Sequence, residues 1–297
     1  MPAHTLTGNI QRHEDFPSKI LRNRRDVLVY LPPGYRRSTK RRYPVLYLHD
    51  GQNVFDAATS FAGVEWGVDE TAQRLIGAKL IEPLIIVAIA NTGEERIHEY
   101  APTPARIDPP KRKRSKGQLR NYGRFLIEEL KPFIDRKYRT RREPEFTALG
   151  GSSLGGLATL VLGLWFPNHF SRLAVMSPSI WWDDCVIYKI VDALDETAKL
   201  PLTIWLDTGT HEPGWERAAA LRDRLVEKGW RLHDDLHYLE IEGADHSEGA
   251  WGGRIDPVLR FLFPPPPPLP PKPPRFSGPR KALNSILTRT RRLAAAG

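Results

Sequence analysis

Two stretches of this chain are apolar without interruption, Val45-Leu46-Tyr47-Leu48 and Leu84-Ile85-Ile86-Val87. A strand with one wet face alternates apolar and polar side chains, so an unbroken short run marks a strand covered on both sides. Similar β-rich runs occupy Asp26 to Leu31, Tyr43 to Leu48, Leu84 to Ala90, Phe146 to Gly150, Leu173 to Met176, Leu202 to Leu206 and Leu236 to Ile241. Between them, Trp66 to Ile76, Asn121 to Tyr138, Leu154 to Trp165, Trp215 to Lys228 and Pro257 to Phe263 carry helical periodicity. In the second of these, Phe125, Leu126, Leu130, Phe133 and Ile134 form one stripe. Strands alternating with helices predict an α/β protein: a mostly parallel central sheet of about eight strands with helices on both faces.

With 40% hydrophobic and 27% charged residues the composition is that of a soluble globular protein, and no stretch approaches the roughly 18 apolar residues of a membrane span. The polar segment from Met1 to Phe16 lacks an apolar signal core, so a cytoplasmic location is the default expectation. A single cysteine, Cys185, excludes an intramolecular disulfide and a Cys-rich zinc site, and it is expected to be a small buried apolar residue. The net charge of +9 is concentrated at one end: Phe263 to Gly297 holds seven Lys/Arg and no Asp/Glu, leaving +2 on residues 1–262. Prolines 264–268, 270, 271, 273 and 274 forbid helix and sheet and favour extended polyproline II. The expected division is a catalytic domain at 1–262, a proline-rich linker at 263–276 and a basic tail at 277–297. In the tail, Leu283, Ile286 and Leu287 share one helical face, but a helix this short is marginal alone. A solvated tail is the expectation; a polyanion, an anionic membrane surface or a polyproline-binding partner is the alternative.

In a mostly parallel sheet, reactive groups collect just beyond the carboxyl ends of the strands. After Phe146 to Leu149 comes Gly150-Gly151-Ser152-Ser153-Leu154-Gly155-Gly156 and then a helix, so Gly151-x-Ser153-x-Gly155 stands at a strand-to-helix turn. This is the nucleophile-elbow pattern of α/β-hydrolases: side chains two residues either side of the serine would collide with strand or helix, and the serine is left in a strained turn. A phosphate-binding loop would need Gly-Lys-Ser/Thr, which is absent here. Neither a cofactor nor a metal is expected.

A serine hydroxyl needs an imidazole to take its proton and a carboxylate to hold that imidazole. Of the histidines beyond the elbow, His246 lies in a small-residue loop after the last strand, whereas His233 and His237 lie before or within it. The acid should follow Leu202 to Leu206, where Asp207 and Glu212 compete. Asp207 is close enough to the strand end to satisfy turn amides instead, so Glu212 is favoured. Oxyanion donors are expected from the backbone N–H of Leu154 and of Gln52, with Gly51 letting the main chain approach the substrate.

Tyr43 to Asp56, Glu128 to Asp135, the serine elbow, Asp207 to Glu212 and the His246 loop together resemble the esterase family that includes enterochelin esterases, feruloyl esterases, S-formylglutathione hydrolase (esterase D) and the mycolyltransferases. The resemblance covers roughly residues 25 to 262 and implies an α/β-hydrolase fold with Ser-Asp/Glu-His catalysis. In such relatives the acid follows a Gly-Thr-x step, which maps onto Glu212, and Ser177 to Trp182 looks like a feature beside the active site. Two segments depart from the pattern: the proline-rich tail, and the loop from Thr103 to Leu119 with the basic run Lys111 to Arg114, expected to be solvated.

The leading expectation is hydrolysis of a small-molecule carboxylic ester through an acyl-Ser153 intermediate. An acyltransferase with the same triad, or a polyanion-binding module using the tail, are the alternatives. Trp66, Trp181 and Trp182 are candidate substrate contacts, with at least one of the adjacent pair near Ser153 and a preference for aromatic esters.

Overall fold

A computed structural model describes residues 3–106, 114–195 and 199–266. The chain divides into two units, Met1–Pro265 and Pro266–Gly297, and the described residues fall, but for Pro266, in the first. The basic run at 111–113, most of the proline-rich segment and the whole basic tail lie outside the described residues.

Eight strands form one sheet: β1 (Asn9–Ser18), β2 (Asn23–Leu31), β3 (Val45–Leu48), β4 (Ile85–Ile89), β5 (Thr147–Ser152), β6 (Arg172–Met176), β7 (Thr203–Gly209) and β8 (Leu236–Ile241). Their spatial order is β1-β2-β4-β3-β5-β6-β7-β8. From β4 to β8 every pairing is parallel, while β1 on β2 and β2 on β4 are antiparallel. The apolar runs became central strands: all of β3 and β4 is buried.

The helices are α1 (Val68–Gly77), α2 (Arg96–Tyr100), α3 (Leu119–Arg124), α4 (Lys131–Lys137), α5 (Leu154–Trp165), α6 (Trp182–Asp192), α7 (Glu216–Glu227), α8 (Glu248–Gly252) and α9 (Ile255–Leu262). A wider π turn, Phe125–Leu130, joins α3 to α4, so the expected helix from Asn121 to Tyr138 is one rod with a local expansion. Strand alternation divides the core into two layers. Val45, Tyr47, Leu149, Val175 and Leu206 face one layer with residues of α3 to α7; Leu46, Leu48, Ala148, Met176 and Trp205 face the other with α1, α8 and α9. Both faces are therefore covered, the architecture of an α/β-hydrolase fold. Among the described residues no helix is long and apolar enough to cross a membrane.

The strand β1 and the helices α2, α6 and α8 went unread in the sequence, and β7 was read short. The strand β1 is a sheet edge that is polar at most positions, with a bulge between His13 and Phe16 and a left-handed Asp15. The helix α6 begins with Asp183, Asp184 and Cys185 all at positive φ, which interrupts its periodicity. The strand β7 extends to Gly209, so Asp207 lies inside the strand rather than in the loop after it.

Candidate active site

Ser153 follows β5 directly and precedes α5 with φ 57° and ψ −123°, a strained backbone that the flanking packing imposes. Its N–H donates to the Met176 carbonyl, and its carbonyl accepts from Leu157 and Ser179 N–H groups. Gly151 and Gly156 are required by space, whereas Gly155, expected to be required as well, is not: a Cβ there would meet nothing nearer than 3.4 Å. A Cβ on Gly151 would stand 3.0 Å from the Gly155 carbonyl carbon, and one on Gly156 would stand 2.7 Å from the Met176 carbonyl oxygen.

The structure brings Ser153, His246 and Glu212 together. His246 Nε2 lies 2.8 Å from Ser153 Oγ, and His246 Nδ1 lies 2.9 Å from Glu212 Oε2. With Nδ1–H donated to the carboxylate, the Nε2 lone pair faces the serine hydroxyl, the tautomer a general base needs. The loops after β7 and β8 meet because Gly209 has no side chain: a Cβ there would lie 2.2 Å from the Ala244 carbonyl oxygen. Thr210 and His211 N–H groups then donate to Ile241 and Ala244 carbonyls, zipping the acid loop to the histidine loop. Ser247, next to the histidine, caps α8 through its hydroxyl.

Glu212 is 7% exposed, and its second oxygen is fully engaged. Oε1 accepts from Gly209 N–H at 2.8 Å, Ser177 Oγ–H at 2.5 Å and Arg254 at 3.4 Å. Burial pushes this carboxyl up, but the hydrogen bonds from His246, Ser177 and Gly209 outweigh it and hold it below the usual glutamate range. Asp207, the competing candidate, is not in contact with the histidine. It is fully buried inside β7, where it accepts from Trp205 Nε1 at 2.6 Å, Ser177 N–H at 3.1 Å and Arg254 at 2.8 Å. Its side chain is thus spent on Arg254, which in turn donates to Ser177 Oγ at 2.7 Å and reaches Glu212.

Arg254 and Ser177 form a buried clamp behind the acid, and the sequence reading did not single out Arg254. A usable signal existed: a carboxylate such as Asp207 at the end of a buried apolar strand requires a cation, and Arg254 is a basic residue just before the last helix.

Opposite the histidine, Gly51–Asn53 forms a single 3-10 turn entered from Asp50 at φ 54°. Gly51 has a different cause from the one expected: a Cβ there would lie 2.4 Å from Ile89 N, so it admits the end of β4 rather than the substrate. Asp50 is held by Arg96 through two 2.7 Å bonds and by Asn91, while the Gln52 side chain accepts from Asn91 N–H at 3.2 Å. Burial pushes Asp50 up, but Arg96 and Asn91 more than offset it and keep it ionised. This fixes a turn whose leading N–H groups have no partner inside it, as is also true of Leu154 at the start of α5. Backbone N–H groups left without an internal partner are what an oxyanion pocket would need.

Two clefts meet at Ser153 and His246. The larger, about 690 Å³, is walled by Pro178, Ile180, Trp181, Pro213, Trp215 and Ala218. The smaller, about 340 Å³, is mixed, with Gln52, Asn53, Asn91, Arg96 and Glu248 beside Phe61 and Trp251. Of the three expected tryptophans only Trp181, 56% exposed, lines a cleft. Trp66 is buried against Trp251, whose ring in turn packs edge-on to His246 at 4.8 Å. Trp182 is 1% exposed and donates its indole N–H to the Thr103 carbonyl, anchoring that loop instead of meeting substrate. His237 stacks on Trp205 away from the serine.

Known proteins are similar to this chain over most of its length. The Bacillus subtilis protein YbbA is 26% identical over 248 residues, covering 81% of this chain and 93% of that protein. The ferri-bacillibactin esterase BesA of the same organism is 28% identical over 234 residues, covering 73% of this chain and 76% of that one. Among solved structures, the BES protein from Bacillus cereus superposes with a TM-score of 0.69 at 25% identity, covering 89% of this chain and 98% of its own. The family described as "Putative esterase" matches residues 18–262, and with its fold and its serine-centred cleft the chain belongs to that family and is an esterase.

Proposed function

We propose that the protein is a serine carboxylic-ester hydrolase that works through an acyl-Ser153 intermediate. The observation that carries this reading is the unbroken hydrogen-bonded line Glu212–His246–Ser153, at 2.9 and 2.8 Å, ending on a strained elbow between two clefts. His246 Nε2 takes the hydroxyl proton as Ser153 Oγ attacks the ester carbonyl, and Glu212 stabilises the imidazolium that forms. The Gln52 and Leu154 N–H groups receive the developing oxyanion. His246 then returns the proton to the leaving alcohol, activates a water, and the acyl-serine is hydrolysed. The catalytic unit spans residues 1–262, with 263–276 as linker and 277–297 as an appended basic tail.

The larger cleft suits the broad apolar or aromatic part of a small-molecule ester, because Trp181 and Trp215 offer indole faces beside the nucleophile. The similarity to BesA, a ferri-bacillibactin esterase, supports a small-molecule ester as substrate. Trp181→Ala should lower kcat/KM for an aromatic ester about tenfold more than for an acetate ester, with the melting temperature unchanged. Equal loss on both would remove the aromatic preference.

Acid-quenched mass spectrometry during turnover of a slowly deacylating aryl ester tests the pathway. The expected result is one acyl group per chain; steady turnover with no adduct contradicts a covalent route. Adding an alcohol acceptor separates hydrolysis from transfer, since a hydrolase releases the free acid and a transferase a new ester.

A further inference from the structure

Residues 1–262 carry a net charge of only +2, yet their cations are not spread evenly. Two runs, 36–42 and 136–142, hold five Lys/Arg each and no Asp/Glu: Arg36, Arg37, Lys40, Arg41 and Arg42 in the first, Arg136, Lys137, Arg139, Arg141 and Arg142 in the second. The runs are far apart in the sequence, and the fold lays them side by side. Tyr43 N–H donates to the Arg139 carbonyl at 2.9 Å, Arg141 N–H donates to the Tyr43 carbonyl at 2.8 Å, and the Arg42 guanidinium donates to the Thr140 carbonyl at 3.2 Å. The Arg139 guanidinium covers the Tyr35 ring at the start of the first run. Both runs lie at the amino end of β3, opposite the strand ends that carry Ser153, Glu212 and His246.

Like charges this close repel one another, and the fold does little to offset them. Of the ten cations only Arg141 stands in an ion pair among the described residues, with Glu82 at 3.3 Å, and Glu82 is shared with Arg172. Asp135, beside the second run, is taken by Lys131 at 2.8 Å, which leaves Glu143 and Glu145 as exposed acids just beyond that run. Arg36, Arg37, Lys40, Arg41, Arg42, Arg136, Lys137 and Arg142 are all exposed. Arg36 and Arg37 also border a groove of about 790 Å³ against α1, with Gly8, Asn9, Gly34 and Gln73 in its wall, which has room for a phosphate headgroup.

We propose that runs 36–42 and 136–142 form one docking surface for a bilayer rich in anionic phospholipid. Eight of the ten cations are arginines, whose planar guanidinium forks pair bidentately with phosphodiester oxygens. Nucleic acid offers the same oxygens, but this surface lacks what holds bases. Tyr35, Tyr43 and Tyr138, the aromatic residues in and beside the runs, are buried, so none of these rings is free to stack a base. Only Arg136 and Lys137 lie on a helix, in the last turn of α4, so neither run presents a helix to a duplex groove. A bilayer requires neither feature: it offers a plane of phosphates, and each Lys/Arg near it strengthens attachment about fivefold. None of the exposed large apolar side chains among the described residues lies in either run, so attachment is electrostatic, without insertion. In that pose the catalytic edge, at the other end of the sheet, stays open to water.

Co-sedimentation of the full-length protein with sucrose-loaded vesicles provides the test. The protein should bind vesicles of phosphatidylcholine with about 30% phosphatidylglycerol at about 0.1 M salt, and should leave them at about 1 M, where the screening length falls to about 3 Å. Vesicles of phosphatidylcholine alone should not retain it. The side chains of Arg36, Arg37 and Lys40 make no hydrogen bond or ion pair among the described residues. The triple substitution Arg36→Gln, Arg37→Gln, Lys40→Gln should therefore keep the melting temperature and the turnover of a soluble ester, while vesicle binding falls at least tenfold. Arg136→Gln, in the other run, should weaken binding about fivefold, and it carries the test by itself should the triple variant not fold. Both variants keep the seven cations of residues 263–297, so vesicle binding of wild-type strength in either folded variant overturns the proposal. So does absence of binding by the wild type, equal binding to neutral vesicles, or tighter binding to duplex DNA than to vesicles at equal phosphate concentration, which would assign the surface to nucleic acid.

Discussion

At the scale of single residues, the carboxylate inside β7 and the one in the loop after it have separate tasks, and their contacts predict separable phenotypes. Glu212 touches His246, so Glu212→Gln should leave the imidazole without its orienting charge and lower kcat by about 10²- to 10⁴-fold with KM little changed. Asp207 touches Arg254 and not the imidazole, so Asp207→Asn should lower stability by about 3 kcal/mol, because the buried guanidinium loses its shorter carboxylate contact, while kcat falls less than tenfold. Steady-state kinetics and urea unfolding of the two variants check this pair; a kcat loss larger in Asp207→Asn than in Glu212→Gln would reverse the roles. That Ser153, His246 and Glu212 come together was foreseeable in the sequence, because each stands at or shortly past the end of a recognisable apolar strand. Arg254 was not, because its partner is 47 positions away and nothing local marks an arginine as buried.

At the scale of elements, the fully buried strands were the easiest to read, since β3 and β4 have no polar face to obscure them. The strand β1 escaped because an edge strand carrying Gln11, Arg12, His13 and Glu14 looks like any polar terminus, and only its pairing with β2 defines it. The end of β7 was placed three residues short, because Asp207-Thr208-Gly209 reads as turn chemistry when it is the last, buried segment of the strand. That shift makes Gly209 the contact point of two loops. Gly209→Ala should separate the β7 and β8 loops, since its Cβ would meet the Ala244 carbonyl at 2.2 Å. The expected outcome is a fall in kcat of at least tenfold, with the Glu212 and His246 side chains both intact. Unchanged kcat would mean the loops can part without disturbing the hydrogen bond between those side chains. The tryptophans show the same limit: following the strand next to the elbow strand predicted proximity for at least one of Trp181 and Trp182, but which indole faces the cleft and which the core is not marked by any periodicity.

At the scale of the whole molecule, the sheet presents every strand end that carries chemistry to one edge, and that edge rests on a buried polar layer. His49, at the end of β3, is completely buried with its Nδ1 near the Tyr122 hydroxyl, and burial lowers it from the ordinary imidazole value of 6.5 to about 4. A histidine with a lowered folded pKa contributes stability in full above about 6.5, and that contribution is lost as pH falls toward 4, because the unfolded chain takes up a proton the folded one refuses. Urea unfolding across this window should give a stability slope that His49→Gln reduces by up to about 1.4 kcal/mol per pH unit. Identical slopes in the two proteins would show that His49 does not stay neutral in the fold. The central claim is that this edge has one nucleophile, although Ser152 is its sequence neighbour and Ser179 Oγ lies 3.3 Å from Ser153 Oγ. Labelling by a fluorophosphonate probe, followed by mapping of the modified peptide, tests it most directly. The account predicts that Ser152→Ala and Ser179→Ala are still labelled at Ser153, and that folded Ser153→Ala is not labelled at all; labelling that persists in Ser153→Ala would contradict it.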